Sequence, residues 1–238
     1  AGENWFCQVR VTDGSSRVDD VVETTVADTP GGNILIMVAD DLGIDHLNRY
    51  GLAVNPPPTP TIDSLVDSGL RFTNAWTYSS CSPTRAALMT GRYGRRTGAT
   101  ALVPYMTSWY ELPLDEVTLP EMTDLATAGT YANSAVGKWH ISSRVSPSTG
   151  DHPNLSGWDW HAGSPGNLDV NSLGLTTDFD TWEKWNNGVT EVSTTYATTD
   201  TVNDAISRAN AMPEPWLLYV AFNAPHYPIH VPPAHLHS

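Results

Sequence analysis

From Asn33 onward the chain alternates apolar strand-like runs with amphipathic helix-like stretches, and this alternation limits the fold more than any other feature of its 238 residues. Ile34 to Ala39 is a continuous apolar run, the pattern of a parallel strand buried on both faces. Tyr131 to Val136 and Trp216 to Phe222 read as further strands. Thr59-Pro60 opens a helix with Pro at its first position, Ile62, Leu65 and Val66 on its apolar face, and Gly69 at its end. Ser82-Pro83 opens another, which carries Ala86, Ala87 and Leu88 and stops at Gly91. Thr118 to Glu121 spells a capping box, followed by Met122, Leu125, Ala126 and a stop at Gly129. Val202, Ala205, Ile206 and Ala209 mark a last helix. Strands alternating with helices predict an α/β layer fold around a mostly parallel sheet.

Residues 1–30 read differently. Val9 and Val11 alternate with polar residues, as do Val22, Thr24 and Val26, with a turn at Asp13-Gly14-Ser15 between them. Asp28 to Gly32 is a linker-like break. The segment resembles the last two strands of an immunoglobulin-like repeat, which would put a partner of Cys7 upstream of Ala1. An ordinary hairpin padding the main domain is the other reading. The resemblance implies the tail of an Ig-like β domain plus linker over residues 1–30.

Twelve Lys and Arg against 26 Asp and Glu give a net charge of −14. A phosphate-tracking surface needs a basic face, so general DNA or RNA binding is disfavoured. No apolar run approaches a membrane span. The opening AGENWFC has neither the basic nor the apolar region of a signal peptide. Either a leader has been removed or the chain is cut from something longer. Two cysteines, Cys7 and Cys81, cannot form a disulfide framework. Few cations with abundant Asp, Thr, Gly and Pro suit an exported protein.

Polar, titratable residues follow three of the apolar runs: Asp40-Asp41, Gly137-Lys138-Trp139-His140 and Asn223-Ala224-Pro225-His226. Ligands in open α/β sheets bind beyond the carboxyl ends of the strands, so the three point to one site. Two adjacent carboxylates repel unless a cation neutralises them, which favours a hard divalent ion over a turn cap. No acidic residue lies between Asp67 and Glu111, while Arg71, Arg85, Arg92, Arg95 and Arg96 do. That local positive region suggests an anionic ligand, as does a helix start at Cys81. A cysteine phosphatase would place its arginine six positions on, where Ala87 stands, so that mechanism does not fit.

Cys81 to Arg92, CSPTRAALMTGR, resembles the type I sulfatase signature C-x-P-x-R followed by L-x-T-G. NILIMVADDLG from Asn33, PPPTPTIDSLVDSGLRFTNAW, VGKWHIS and NAPHYP are similar to further family segments, in the expected order from about Asn33 to Pro233. The resemblance implies the alkaline phosphatase/sulfatase-like fold: a mixed, mostly parallel sheet sandwiched by helices. It implies a sulfuric ester hydrolase in which Cys81 is oxidised to Cα-formylglycine by a formylglycine-generating enzyme. One hydroxyl of the hydrated aldehyde would attack sulfur, and the second would then expel sulfate. Asp40 and Asp41 would bind Ca²⁺, with position 81 both nucleophile and ligand. Arg85 would stabilise the hydrate, Lys138 would contact sulfate, and His140 would act as a base. His226 would contact sulfate or protonate the leaving oxygen, and Ser164 would contribute a sulfate or hydrate contact. Export to periplasm, medium or cell surface would follow, with aryl or carbohydrate sulfate esters as substrates.

Other readings of the same residues are a phosphonate or phosphate monoester hydrolase of that superfamily, and a non-catalytic sulfatase-like surface protein. Residues 31–238 correspond to the N-terminal portion of a sulfatase catalytic domain. The family's two later metal ligands and usual second lysine would fall beyond Ser238. The expectation is therefore a half-built calcium site, with neither turnover nor tight calcium binding in these 238 residues alone. Trp158, Trp160, Trp182 and Trp185 are expected in core or lid packing rather than a subsite. His230, His235 and His237 read as loop residues.

Overall fold

A computed structural model describes residues 32–52, 54–169 and 171–236, together with four two-residue strands before them. Those four are β1 (Cys7–Gln8), β2 (Val11–Thr12), β3 (Arg17–Val18) and β4 (Val21–Val22). β1 pairs antiparallel with β4, and β2 with β3, in a single hairpin register. A hairpin is common to both readings of this segment. The turn at Asp13-Gly14-Ser15 and the partner of Cys7 lie outside the described residues.

The main body is a six-stranded sheet. Its strands are β5 (Ile34–Asp40), β6 (Ala132–Gly137), β7 (His161–Gly163), β8 (Trp182–Asn186), β9 (Val189–Ser193) and β10 (Trp216–Pro225). Their order across the sheet is β5-β10-β6-β7-β8-β9. The first four run parallel, and β8 and β9 extend the sheet antiparallel. The fold is thus mixed and mostly parallel with flanking helices. These are α1 (Pro60–Ser68), α2 (Cys81–Thr90), α3 (Gly94–Thr97), α4 (Leu119–Thr127), α5 (His152–Leu155) and α6 (Ala197–Ala211).

Strand alternation sorts the core into two layers. Ala135 of β6 and Leu217, Tyr219 and Ala221 of β10 face Ala86 and Met89 of α2 and Leu119 of α4. The intervening Val136, Leu218 and Val220 face Ala205 and Ala209 of α6. Local sequence sets the helix ends. Thr118 and Glu121 close the capping box of α4, and Gly91 caps α2 at φ +65°.

One expectation fails here. β5 is not buried on both faces: it is the edge strand, and Leu35 and Met37 remain 49% and 54% exposed. Only Ile36 and Val38, on its α2 side, pack partly against the core. The apolar face of α1 is likewise open, with Leu65 53% exposed. Trp158, Trp182 and Trp185 are buried, and Trp160 packs against the α6-side core.

Candidate active site

Because β5, β10, β6 and β7 are parallel neighbours, their carboxyl ends open on one edge of the sheet. Two glycines let the chain turn there. Gly137 ends β6 at φ +89°, where a Cβ would sit 1.9 Å from the Ala221 carbonyl oxygen. Gly163 ends β7 against Gly137, where a Cβ would approach the Gly137 oxygen to 1.8 Å. These close approaches carry Lys138 and His140 inward, over the end of β10.

Asp40 ends β5 and is buried. Its carboxylate pairs with the buried Lys138 ammonium and lies 3.6 Å from the Arg85 guanidinium. Lys138 Nζ also donates to Asn167 Oδ1 at 2.7 Å. Burial lowers the Lys138 pKa and the Arg85 charge pushes the same way, while Asp40 opposes both. Arg85, from α2, donates to the Lys138 carbonyl at 2.5 Å and to Tyr219 Oη at 3.2 Å. Its buried Nε has no hydrogen-bond partner among the described residues.

Cys81 is the first residue of α2, where unpaired N–H groups and the helix dipole favour negative charge. Its Sγ lies 3.1 Å from His140 Nδ1. On the other side of that ring, Nε2 lies 3.1 Å from the Val103 carbonyl. A carbonyl only accepts, so Nε2 carries the hydrogen and the Nδ1 lone pair faces Cys81. Burial, aided by the charges of Lys138 and Arg85, holds the His140 pKa well below its ordinary value. His140 is therefore a neutral imidazole with its basic nitrogen on Cys81. Asp41 and His140 both adopt left-handed backbone, at φ +64° and +59°. Asp and His tolerate this better than most residues, and such strain clusters at functional sites.

Asp40, Asp41, Ser80, Cys81, Thr84 and Arg85 line one cavity of about 240 Å³. Asp41 opens to solvent with His226 Nε2 3.7 Å from its carboxylate. Ser164 is buried with its hydroxyl between Gly166 O and Asn223 Oδ1, at 3.0 and 3.1 Å, and does not line that cavity. Of the five arginines in the acid-free window, only Arg85 lines it. Arg92 pairs with Glu116, and Arg71 bonds the Arg49 carbonyl. His230 stacks on Phe179 at 3.7 Å, and His237 lies outside the described residues.

Sequence reasoning missed Asn167, Tyr219 and Val103. Tyr219 sits on the α2-facing register of β10 and was legible from strand alternation. Val103 acts through its backbone, which leaves no trace in residue type.

The family model described as Sulfatase matches residues 32–238. The chain is a member of the sulfatase family. Arylsulfatase A of Bos taurus is 46% identical over 110 residues, 46% of this chain and 21% of that relative. Arylsulfatase G of Rattus norvegicus is 37% identical over 142 residues, 59% of this chain and 25% of that relative. The chain thus aligns with about a quarter or less of the length of these curated relatives. The crystal structure of Ps i-CgsB in complex with k-i-k-neocarrahexaose superposes with a TM-score of 0.67 at 31% identity, covering 83% of this chain and 46% of that one. The structure of BT4656 with D-glucosamine-2-N,6-O-disulfate gives a TM-score of 0.62 at 24% identity, over 82% and 35% of the two chains, and speaks to the fold alone.

Sulfatase membership makes the donor set for a metal worth testing. The described residues include no group of three or more His, Cys, Asp or Glu side chains placed to hold a metal. Asp40 and Asp41 do open on the same cavity as position 81. Two hard carboxylates fit a share of the six to eight oxygen ligands calcium takes, with Lys138 and Arg85 neutralising Asp40 in this state.

Proposed function

We propose that this chain carries catalytic residues of a sulfuric ester hydrolase with Cα-formylglycine at position 81 and calcium at Asp40 and Asp41. One observation carries the reading: Cys81 heads α2 with its Sγ 3.1 Å from the lone-pair nitrogen of a buried neutral histidine, beside two buried cations. Formylglycine at position 81 would supply a hydrated aldehyde, a nucleophile with a second hydroxyl for releasing product, and calcium held by Asp40 and Asp41 would supply positive charge.

The remaining work falls to side chains. His140 Nδ1 takes a proton from the hydroxyl at position 81. Arg85 and Lys138 hold the sulfate group where negative charge builds. Asp40 keeps both cations oriented. His226, beside Asp41, donates the proton to the leaving oxygen. Ser164 ties the Gly166 carbonyl to the Asn223 side chain and so supports the loop behind Lys138 and His140. Arylsulfatase relatives, and a neighbour solved with a neocarrahexaose, support aryl or carbohydrate sulfate esters as substrates. A formylglycine-generating enzyme would read Cys81 to Arg85 during maturation, and the acidic composition supports export.

The test compares turnover of an aryl sulfate and an aryl phosphonate by the full-length protein and its Cys81→Ala variant. Sulfate turnover that disappears with the substitution is expected. Faster phosphonate turnover would move the protein to the phosphonate hydrolases. Sulfate turnover surviving Cys81→Ala would overturn the reading.

A further inference from the structure

The carbonyl that fixes the His140 tautomer belongs to a segment without regular structure, so something must hold it. Val103 lies between α3 and α4, is 3% exposed, and is gripped on both backbone groups. Its N–H donates to Ser82 Oγ at 3.0 Å and its carbonyl accepts from His140 Nε2 at 3.1 Å. Two residues on, Tyr105 reaches β8, where its O–H donates to Glu183 Oε1 at 2.5 Å. The second Glu183 oxygen accepts from the Ser172 N–H. The Tyr105 ring packs against Trp185 at 6.0 Å, and its carbonyl accepts from the Arg144 N–H at 2.9 Å. Glu183 is 3% exposed and pairs with no cation among the described residues.

A buried carboxylate without a counter-ion is costly to keep, and here it is satisfied by one phenol and one backbone amide. We propose that the Tyr105–Glu183 pair is a clamp that holds the Val103 carbonyl on His140 Nε2 and so keeps the Nδ1 lone pair directed at position 81. Both are positioning residues. The two neutral tautomers of an imidazole differ little in energy, so the partner of one nitrogen decides which is populated. A cavity of about 240 Å³ lined by Val103, Tyr105, Met106, His140 and Asn167 gives the segment room to relax once the clamp opens. The functional consequence rests on His140 acting as the base proposed above.

The test records ¹⁵N spectra of histidine-labelled full-length protein, with the His140 signals assigned by their loss in His140→Gln. Ring nitrogens bearing hydrogen and bearing a lone pair are spectroscopically distinct. Three variants are compared. Tyr105→Phe deletes the donor. Tyr105→Phe/Glu183→Leu removes both partners and leaves no buried carboxylate orphaned, which protects folding. Glu183→Gln keeps an acceptor for the phenol. The native protein should show hydrogen on Nε2 alone, and Glu183→Gln should retain that signature. The first two variants should show mixed tautomers, with kcat on an aryl sulfate reduced about tenfold and KM within about twofold. An unchanged His140 signature in both would overturn the clamp. A changed signature with undiminished turnover would uphold the clamp and refute His140 as the base.

Discussion

Asp40 decides the electrostatics of the site. It is the carboxylate between Lys138 and Arg85, and all three side chains are buried. Asp40→Ala would leave two cations in a low-dielectric site without their counter-charge. Breaking a buried pair this way costs about 3–5 kcal/mol, which urea denaturation would read directly. Asp40→Asn should cost less, since its amide oxygen still accepts from Lys138. A loss below about 1 kcal/mol for Asp40→Ala would show that water reaches the cluster. His140→Gln should lower kcat on a sulfate ester by about 10²–10⁴, the usual worth of a positioned base. An unchanged kcat would remove His140 from the chemistry.

Individual elements show where packing overrides sequence pattern. Gly137→Ala places a methyl 1.9 Å from the Ala221 carbonyl at φ +89°, so β6 and β10 must part. The expected destabilisation exceeds about 3 kcal/mol, against about 1 kcal/mol for Thr118→Ala, which removes only the cap of α4. Parity between the two in denaturant midpoints would contradict the close-packing account. β5, β6, β10 and the ends of α1, α2 and α4 were legible because Pro, Gly and the capping box act locally. β8 and β9 were not, since Glu183 and Lys184 make β8 look exposed although both are buried, by Tyr105 and by Asp200 and Asp204. The available signal was Asn187-Gly188, both at positive φ between the paired Asn186 and Val189, the composition of a tight hairpin turn. The exposure of β5 was illegible for another reason: an apolar run records what a strand can bury, not what covers it. The same holds in the site, where Asp40, Cys81, Arg85, Lys138 and His140 announced themselves by type and Val103 did not.

At the scale of the whole molecule, buried histidines couple stability to pH. Burial lowers the pKa of His161 to about 3, and lowers those of His140 and His152 as well. Each ordinarily titrates near 6.5, so below that pH the unfolded chain binds protons that the fold refuses. The contribution of each is complete above about pH 6.5 and is lost as pH falls below it, down to about 3 for His161, by about 1.4 kcal/mol per pH unit inside that window. Urea midpoints should therefore fall steadily from pH 6.5 to 4.5, and His161→Phe should flatten that slope. A flat profile in the native protein would contradict the burial of these rings. The central claim, that position 81 is a modified nucleophile, is tested most directly by peptide mass spectrometry of the full-length protein from its native host grown in air. Trypsin releases Phe72 to Arg85 as one peptide. The account predicts the mass of an aldehyde in place of the Cys81 thiol. An unmodified thiol would contradict it and leave a sulfatase-like fold without its nucleophile.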